Sequence, residues 1–373
     1  MRVLLACDKF KGSLGAAEAC EAVRAGLPAE WTTDICPIAD GGEGFVDAML
    51  AGSGGELVTA SCTDALGRPV VASYGYYRRS RNTSDEVTAV LEMSAASGIW
   101  RVPAEERKPR LSSSFGTGQL MRHAIEVSGA SRLLIGIGGS VTNDGGAGMA
   151  AALGVRFLDE QGVELEPVPA ELARLHSIDF SQRIPLPEII VACDVDNPLA
   201  GPRGASAVFG PQKGATPEDV EFLDGVLSKL AVISNGEAEA QTPGAGAAGG
   251  LGFGLLRFAD AKLVPGFDLV AEALGMADRL KSADLVVTGE GSLDVQTLGG
   301  KGPAGVAAMA KAAGIPVVAV AGRIEDTARP LFDACLSLES FGLPVAESIA
   351  RAPELVTALV AEHADLLAGL PAR

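Results

Sequence analysis

Lysines and carboxylates recur inside glycine-rich turns of this 373-residue chain. The first of these turns, residues 7–13 (CDKFKGS), carries Lys9 and Lys11 and ends on Ser13. Two ammonium groups at the end of a strand can neutralise a phosphoryl group or a carboxylate, and lysine acts there as a point charge. Surface turns also commonly carry lysines, so the alternative is a solvated turn without a ligand. The acid beside the lysines and the apolar strand before them favour a binding role.

The densest glycine segment, residues 135–154 (IGIGGSVTNDGGAGMAAALG), places seven glycines around one ionisable side chain, Asp144. A strand that runs into such a loop and then into a helix presents backbone N–H groups and a positive helix end, which favour an anion. Asp144 argues for Mg²⁺ or a ligand hydroxyl beside it. The alternative is a tight connection that needs glycine for packing alone. The predicted phosphate or nucleotide contacts here are Gly138, Gly139, Ser140, Asn143, Asp144, Gly145 and Gly146.

Two acids alternate after another apolar strand, in residues 193–215 (CDVDNPLAGPRGASAVFGPQKGA). Asp194 and Asp196 are two residues apart, and side chains with that spacing on a strand share a face. That geometry suits Mg²⁺ on a nucleotide phosphate, or one carboxylate that acts as a base. Arg203 and Lys213 follow in the glycine-rich part of the segment. Two acids alone are more often part of a turn and a helix cap.

A similar segment, residues 288–307 (TGEGSLDVQTLGGKGPAGVA), carries Glu290, Asp294 and Lys301 before a helix that is predicted to begin near Pro303. It repeats the combination of carboxylates, a lysine and glycines after an apolar strand. The predicted elements therefore place a further set of charged groups at a strand end, where ligands of parallel sheets collect.

The segment of residues 112–125 (SSSFGTGQLMRHAI) starts with several hydroxyl side chains and leads into an amphipathic helix. Ser114 and Thr117 are among these hydroxyl residues. Such residues routinely cap helices. The number of hydroxyls exceeds what one cap needs, so an anion or carboxylate site is an equal alternative. Each segment is weak evidence alone. Together, the glycine-rich polar turns indicate phosphoryl transfer, where catalysis rests on positioning and charge neutralisation.

The elements that position these turns are short apolar runs, most of which precede an alanine-rich stretch with helical periodicity. This alternation is typical of βα units in a mainly parallel sheet. Helices are predicted over residues 14–26, 149–153 and 305–313, among others. The fold class is therefore predicted as α/β.

A different pattern over residues 56–91 predicts a second domain. Apolar and polar residues alternate there between turn signals, as in antiparallel strands. The chain is too long for one ordinary core, so about two domains are expected. We predict a first, discontinuous domain from residues 1–65 and 281–373, with residues 66–280 inserted as a mixed α/β domain. Late in the insert, residues 236–254 are predicted to form a mobile loop and residues 268–280 a helix.

Charge and composition exclude several classes of function. The formal net charge of −17 repels nucleic acid, and no basic patch with interleaved aromatic residues offsets it. The cysteines show no CxxC spacing and the histidines are isolated, so neither a disulfide framework nor a zinc site is predicted. Apolar runs fall short of the about 20 residues that a membrane span needs, and the first residues lack the signal-peptide pattern. We expect a cytoplasmic protein without nucleic-acid or membrane partners.

Several long motifs together resemble those of one known family, the bacterial glycerate kinases of the 2-kinase type. In chain order they are DKFKGS, PIADGGEG, SSSFGTGQL, IGIGGSVTNDGGAGMAAALG, CDVDNPLAGPRGASAVFGPQKGA, GAAGGLGFGL, VTGEGSLDVQT and GGKGPAGVA. They extend from near the first residue to about Arg323, so the resemblance covers essentially the whole chain. Val141, where alanine is common in the family, is a conservative difference.

The resemblance implies a kinase that uses ATP and Mg²⁺ to phosphorylate D-glycerate, with 2-phosphoglycerate as the usual product. It also implies two α/β domains, one flavodoxin-like with a parallel sheet and one with a mixed sheet, with the active site in the cleft. The expected partner is a small-molecule substrate, and the expected assembly is a monomer or homodimer. The alternatives are a kinase for another small hydroxy acid, such as tartronate, and a non-catalytic protein that binds a nucleotide or an anion.

Under this hypothesis the loop of residues 138–148 and the turn of residues 9–13 hold the phosphates. The predicted catalytic residues are Asp194, Lys9, Lys11 and Asp294, with Asp194 as the first choice for the base and Asp294 as the second. The predicted Mg²⁺ ligands are Asp194, Asp196 and Asp40. The predicted substrate contacts are Ser114, Thr117, Arg203, Glu290 and Lys301, of which Arg203 or Lys301 supplies the cation for the glycerate carboxylate.

Overall fold

The structure is a computed structural model that describes residues 1–81, 84–294 and 302–370. Its strands, in chain order, are β1 (Arg2–Cys7), β2 (Thr32–Ile35), β3 (Glu56–Thr63), β4 (Pro69–Arg81), β5 (Ser84–Glu92), β6 (Arg132–Gly136), β7 (Arg156–Leu158), β8 (Ser177–Asp179), β9 (Glu188–Ala192), β10 (Lys262–Val264), β11 (Leu285–Leu293), β12 (Val317–Ile324) and β13 (Ala334–Ser337).

The α-helices of the described residues are α1 (Ala16–Gly26), α2 (Phe45–Ser53), α3 (Ser94–Ser97), α4 (Phe115–Glu126), α5 (Ala147–Ala152), α6 (Pro169–Leu172), α7 (Ala205–Phe209), α8 (Pro217–Ile233), α9 (Glu237–Ala240), α10 (Ala247–Ala259), α11 (Gly266–Ala273), α12 (Met276–Leu280), α13 (Pro303–Ala312), α14 (Val345–Ala350), α15 (Ala352–Glu362) and α16 (Ala364–Ala368). Among the described residues, none of these helices combines the length and the apolar composition that a membrane span requires.

The chain divides into two compact units. The first contains Met1–Asp40, Asp47–Gly54 and the chain from Gly266 onwards, and the second contains Gly41–Val46 and Gly55–Pro265. These limits differ from the predicted domain boundaries after residues 65 and 280. The reason is pairing that turn composition does not reveal, because β3 pairs with β4 along its whole length and so belongs to the second unit.

At the other boundary, residues 266–280 belong to the first unit rather than to the insert. Arg279 on α12 shows why. Its guanidinium donates hydrogen bonds to the Asp34 carboxylate at 2.7 Å, to the Ile35 carbonyl at 3.0 Å and to the Gly52 carbonyl at 2.8 Å. One arginine therefore ties α12 to the end of β2 and to α2.

The first unit is built on a parallel sheet with the order β13-β12-β11-β1-β2. If these five strands are renumbered 1 to 5 in chain order and read from the β2 edge, their order is 2-1-3-4-5, which is the order of flavodoxin-like folds. The central strands are almost entirely apolar because helices cover both faces of such a sheet. The predicted flavodoxin-like unit with a parallel sheet is confirmed. Helix α13 begins at Pro303, as predicted, since proline suits the first turn of a helix.

The second unit has a six-stranded mixed sheet with the order β10-β9-β6-β5-β4-β3. Strands β3, β4 and β5 pair antiparallel, which confirms the alternation noted in residues 56–91. From β5 to β10 the pairing is parallel. Strands β7 and β8 form a separate two-stranded ribbon. The predicted mixed sheet of the second unit is therefore confirmed.

Two local predictions in the chain from residue 236 to residue 280 are wrong. The segment predicted as a mobile loop, residues 236–254, contains α9 and most of α10, and α10 is largely buried. Its small residues serve close packing, since a Cβ on Gly252 would lie 2.1 Å from the Gly244 carbonyl oxygen. The helix predicted over residues 268–280 is two helices, because Gly275 has a φ of +66° and interrupts the helical backbone.

Close packing of α4 on α5 leads to a stability prediction. A Cβ on Gly118 would lie 2.4 Å from the Met149 carbonyl oxygen and 2.7 Å from the Ala152 Cβ, so the helices must move apart to admit it. We expect Gly118→Ala to lower the free energy of unfolding by about 1–3 kcal/mol in urea titrations. At Gly225, in α8, a Cβ would meet no atom within 4 Å. Gly225→Ala is the control, with an expected gain of about 0.5–1 kcal/mol. A stable Gly118→Ala variant would contradict the packing argument.

Candidate active site

The carboxyl edge of the parallel sheet in the first unit gathers charged side chains from neighbouring strands. Strand β1 ends at Cys7, which pairs with Gly289 of β11, and the backbone N–H of Asp8 donates to the Gly289 carbonyl at 2.8 Å. Asp8 and Glu290 therefore follow paired residues. The ammonium of Lys9 lies 4.0 Å from the carboxylate of Asp40, which follows β2. Parallel sheets bind ligands at this edge.

Asp8 is the residue of this edge that the predicted site set lacks. It is only 8 % exposed, and its carboxylate accepts the backbone N–H of Lys9 at 2.6 Å. Its other oxygen faces Gly302, where a Cβ would lie 3.2 Å away. Gly302 precedes the ten-residue helix α13, whose N-terminal dipole favours a carboxylate. The sequence pattern that could have identified Asp8 is an acid directly after a buried strand. The prediction selected the two lysines next to it instead.

The remaining predicted residues of the first unit lie nearby in different surroundings. Lys11 is exposed in the turn after β1, while the hydroxyl of Ser13 donates to the Ile349 carbonyl at 2.8 Å. That hydrogen bond gives Ser13 a structural use that the phosphate prediction did not anticipate. Asp294 follows β11 directly and is half-buried. Lys301 lies outside the described residues.

Most glycines of the loop between β6 and α5 lie against other parts of the protein. In the loop, a Cβ on Gly138 would lie 2.8 Å from the Gly42 Cα, a Cβ on Gly145 would lie 2.6 Å from a Leu230 methyl, and a Cβ on Gly146 would lie 2.8 Å from the Gly254 Cα. In the first turn of α5, a Cβ on Gly148 would lie 2.1 Å from the Ser113 hydroxyl. The loop is buried from Ser140 onward, with Ser140 itself 7 % exposed, whereas Gly139 is exposed and Gly138 is half-buried. Packing therefore accounts for the later glycines, and the part of the loop that is open to a ligand is Gly138 and Gly139, with the buried Ser140 directly after them.

Asp144 is a fully buried carboxylate that holds this loop to α4. Its oxygens accept hydrogen bonds from the Ser114 N–H at 2.7 Å, the Ser114 hydroxyl at 2.8 Å, the Gly148 N–H at 3.1 Å and the Gly146 N–H at 3.2 Å. Burial raises the pKa of the Asp144 carboxyl, and these hydrogen bonds act against that rise. With four donors from the protein, the carboxylate has a positioning role in place of the predicted contact with Mg²⁺ or a ligand hydroxyl.

The hydroxyls predicted to contact substrate are also bonded within the protein. Ser114 is fully buried and accepts the Met149 N–H at 2.9 Å while it donates to Asp144. Thr117 is 1 % exposed, and its hydroxyl lies 3.0 Å from that of Ser97. A substrate cannot reach either side chain in this arrangement. Asn143 is fully buried too, and its amide donates to the Ser206 hydroxyl at 2.9 Å.

Lys213 lies against the buried part of the loop that follows Gly139. Its ammonium donates to the Ser140 hydroxyl oxygen at 2.6 Å and to the Thr142 carbonyl at 2.7 Å, and the residue is 1 % exposed. Burial lowers the pKa of Lys213 to about 7, with the negative charge of Asp144 acting in the opposite direction. The sequence had marked Lys213 as a cation in a glycine-rich turn without a role, and no sequence pattern places it under Ser140.

The buried lysine predicts a pH dependence of stability. The pKa of Lys213 is about 7 when folded and about 10.4 when unfolded, so between these values the unfolded chain alone keeps the proton. Stability should therefore rise with pH across this window, by at most about 1.4 kcal/mol per pH unit from this residue. We expect Lys213→Met to remove that contribution in urea titrations at pH values from about 7 to 10. Equal pH slopes in both proteins would contradict the assignment.

The acids after β9 do not share a strand face, because β9 ends at Ala192 and both lie in the segment beyond it. Asp196 is 75 % exposed on its side chain and pairs with Arg203 at 3.0 Å, which is also largely exposed. Asp194 is half-buried. The structure thus separates the two acids by environment, and it gives Arg203 a carboxylate partner of its own.

Glu92, at the carboxyl end of β5, is a further acid that the sequence analysis missed. Its carboxylate accepts the Val46 N–H at 3.0 Å and the Ser94 hydroxyl at 3.3 Å, and so holds the segment Gly41–Val46 to the second unit. Within the described residues no cluster of three or more His, Cys, Asp or Glu side chains is arranged to hold a metal ion.

Comparisons with known proteins give a single consistent result. A sequence profile described as the glycerate kinase family matches residues 3–368. A glycerate kinase of Bacillus subtilis is 44% identical over 367 residues, covering 95% of this chain and 94% of the relative. A glycerate 2-kinase of Escherichia coli is 43% identical over 337 residues, covering 87% and 86% respectively. A crystal structure assigned to a glycerate kinase 2 of Salmonella typhimurium has a TM-score of 0.88 at 41% identity, covering 99% of this chain and 98% of that one.

Proposed function

The chain belongs to the glycerate kinase family, and we propose that it transfers the γ-phosphoryl group of ATP to the C2 hydroxyl of D-glycerate, with Mg²⁺, to give 2-phosphoglycerate and ADP. The observation that carries this proposal is near full-length similarity to glycerate kinases at 44% and 43% identity. The choice of C2 rests on the glycerate 2-kinase among them. We also propose a cytoplasmic enzyme that acts as a monomer or a homodimer on a small-molecule substrate.

The donor set of the chain suits Mg²⁺ on a nucleotide. Mg²⁺ in kinases is usually bound by one or two carboxylates together with phosphate oxygens and water, so a cluster of three acids is not required. Asp40 is an exposed carboxylate at the ligand edge of the first unit, and Asp194 lies beyond β9 in the second. When bound, the ion would neutralise charge on the phosphates. Asp196 is the weaker choice because it already pairs with Arg203 in solvent.

Lysine charge and loop backbone would position the phosphates. Lys9, at the edge of the sheet in the first unit, is 28 % exposed on its side chain and lies near Asp40, so it can stabilise charge on a transferring phosphoryl group. Lys11 is exposed on the same turn. In the second unit, Gly138 and Gly139 are the accessible part of the glycine loop, and the buried Ser140 follows them. We propose that both sets contact phosphate.

A carboxylate base would complete the reaction. Asp194 is our choice to accept the proton of the glycerate hydroxyl as its oxygen attacks the γ-phosphorus, because it is a half-buried acid beyond the carboxyl end of β9. Asp294 is the second choice. Glu290 and Arg203 remain proposed substrate contacts, although Arg203 would have to leave Asp196 to bind the glycerate carboxylate.

The proposal is tested by ADP release with MgATP and a panel of hydroxy acids. We expect D-glycerate to give the highest kcat/KM, with L-glycerate and tartronate at least tenfold lower, since a site that orients a substrate hydroxyl rejects analogues that misplace it. A clear preference for another acid would replace D-glycerate as the substrate. Binding of MgATP without ADP release in the presence of any acid would favour a nucleotide-binding protein without turnover.

A further inference from the structure

The accessible end of the glycine loop is fixed by backbone pairing with the segment after α3. Ser140 forms an antiparallel bridge with Gly98. The N–H of Ile99 donates to the Gly139 carbonyl at 2.8 Å, and the N–H of Val141 donates to the Ser97 carbonyl at 3.1 Å. These hydrogen bonds fix the backbone on both sides of Ser140, whose hydroxyl oxygen accepts a hydrogen bond from the ammonium of Lys213.

The contact between Lys213 and Ser140 determines where the hydroxyl hydrogen points. An ammonium group has donors only, so when Lys213 is charged the Ser140 oxygen accepts and its own O–H must point elsewhere. A neutral amine has a lone pair and can accept that O–H instead. Among the described residues no second partner takes the Ser140 hydroxyl hydrogen. The charged state of Lys213 thus leaves the buried Ser140 with a free donor directly beside the exposed Gly139.

Among the described residues, no carboxylate is in direct contact with the ammonium of Lys213. Asp144, in the loop above it, accepts four hydrogen bonds from other groups. Arg107 packs against Gly214, and its guanidinium donates to the carbonyls of Gln212 and Val102. Lys213 is therefore a buried cation whose hydrogen bonds go to neutral oxygens of the glycine loop.

We propose that Lys213 is a positioning residue that turns the hydroxyl of Ser140 toward a bound nucleotide phosphate, so that phosphate binding at Gly138–Ser140 is coupled to the proton on Lys213. This inference rests on the proposed function for the identity of the anion. A phosphate near the loop stabilises the ammonium and accepts the Ser140 O–H, while loss of the proton removes both the charge and the donor.

The direction of the pH effect follows from the free protein. Because burial lowers the pKa of Lys213 to about 7, much of the free protein is neutral at this position in mildly alkaline solution. An anion binds the protonated form better and so raises the pKa of Lys213 in the complex. Binding should then take up a proton, and the Kd should rise by up to about tenfold per pH unit above about pH 7 until the pKa of the complex is reached.

The test is calorimetric titration of the full-length protein with MgATP, without glycerate, at about pH 8 in two buffers of different ionisation enthalpy. We expect the wild type to take up on the order of half a proton or more per MgATP, and Lys213→Met to take up none. Ser140→Ala keeps the lysine and removes the hydroxyl, so it should bind MgATP more weakly and take up less. Lys229→Met is the matched control, since Lys229 also donates to a carbonyl, that of Ala173, at 2.7 Å.

Proton uptake by Lys213→Met equal to that of the wild type would overturn the inference, as would wild-type affinity and uptake in Ser140→Ala. Turnover of glycerate, measured separately, keeps the two proposals apart. Wild-type protein that phosphorylates glycerate but shows no uptake dependent on Lys213 would refute the inference alone. Wild-type protein that leaves glycerate unchanged but shows this uptake would refute the proposed function alone.

Discussion

Asp194→Asn is expected to lower kcat for the phosphorylation of glycerate by about 10²–10⁴-fold, which is the usual contribution of a positioned general base. Asparagine has nearly the shape of aspartate but does not accept the hydroxyl proton. The folded state should persist, because the side chain is only half-buried. The measurement is steady-state kinetics with MgATP and D-glycerate, together with thermal unfolding to show that the variant is folded.

Asp196→Asn is the matched control for this variant. It removes the same charge two residues along the chain, from a side chain that is 75 % exposed and paired with Arg203. We expect kcat within about threefold of wild type, since exposed ion pairs contribute little. Turnover by Asp194→Asn within a few-fold of wild type would reject Asp194 as the base or as an Mg²⁺ ligand. Equal large losses in both variants would instead restore the predicted joint role of the two acids.

The second large effect is expected on stability. Asp144→Ala should lower the free energy of unfolding by about 3–5 kcal/mol, because it leaves the buried donors of Ser114, Gly146 and Gly148 without an acceptor. Asp144→Asn should lose less, since one amide oxygen can still accept. Urea unfolding gives the difference from the midpoint and the slope.

The control for Asp144 is Asp260→Asn, which changes an acid that is 72 % exposed on its side chain and pairs with Arg183 at 2.8 Å. A loss below about 1 kcal/mol is expected there. An unfolding midpoint of Asp144→Ala close to wild type would show that the carboxylate does not hold the loop. Its role would then have to be sought at a ligand, as the glycine-rich sequence around it suggests.

The sheets could be predicted from the sequence because their signals are local. The apolar runs around β1 and β12 give buried parallel strands, and the alternation in residues 56–91 gives antiparallel ones. The boundaries of the two units could not be predicted from the sequence, because they depend on strand pairing and on contacts between residues that are distant along the chain. Arg279 joins Asp34 across 245 positions of the chain, and composition gives no indication of that contact.

In the candidate site, residue types were easier to predict than residue roles. The segments with Asp144, Ser114 and Lys213 were identified correctly as unusual. The sequence did not reveal, however, that Asp144 forms a hydrogen bond with Ser114, 30 positions away, or that Lys213 forms one with Ser140, 73 positions away. A glycine that admits a phosphate and a glycine that admits another backbone look the same in a sequence. Only the atoms that a Cβ would meet at each position separate Gly139 from Gly145 and Gly146.

The central claim is tested most directly by phosphorus NMR of the purified protein with MgATP and D-glycerate, following the phosphomonoester that forms. We predict the signal of 2-phosphoglycerate, rising as the γ-phosphate of ATP falls. A signal of 3-phosphoglycerate would contradict the proposed attack by the C2 hydroxyl, and unchanged ATP without a new phosphomonoester would contradict the proposed glycerate kinase activity.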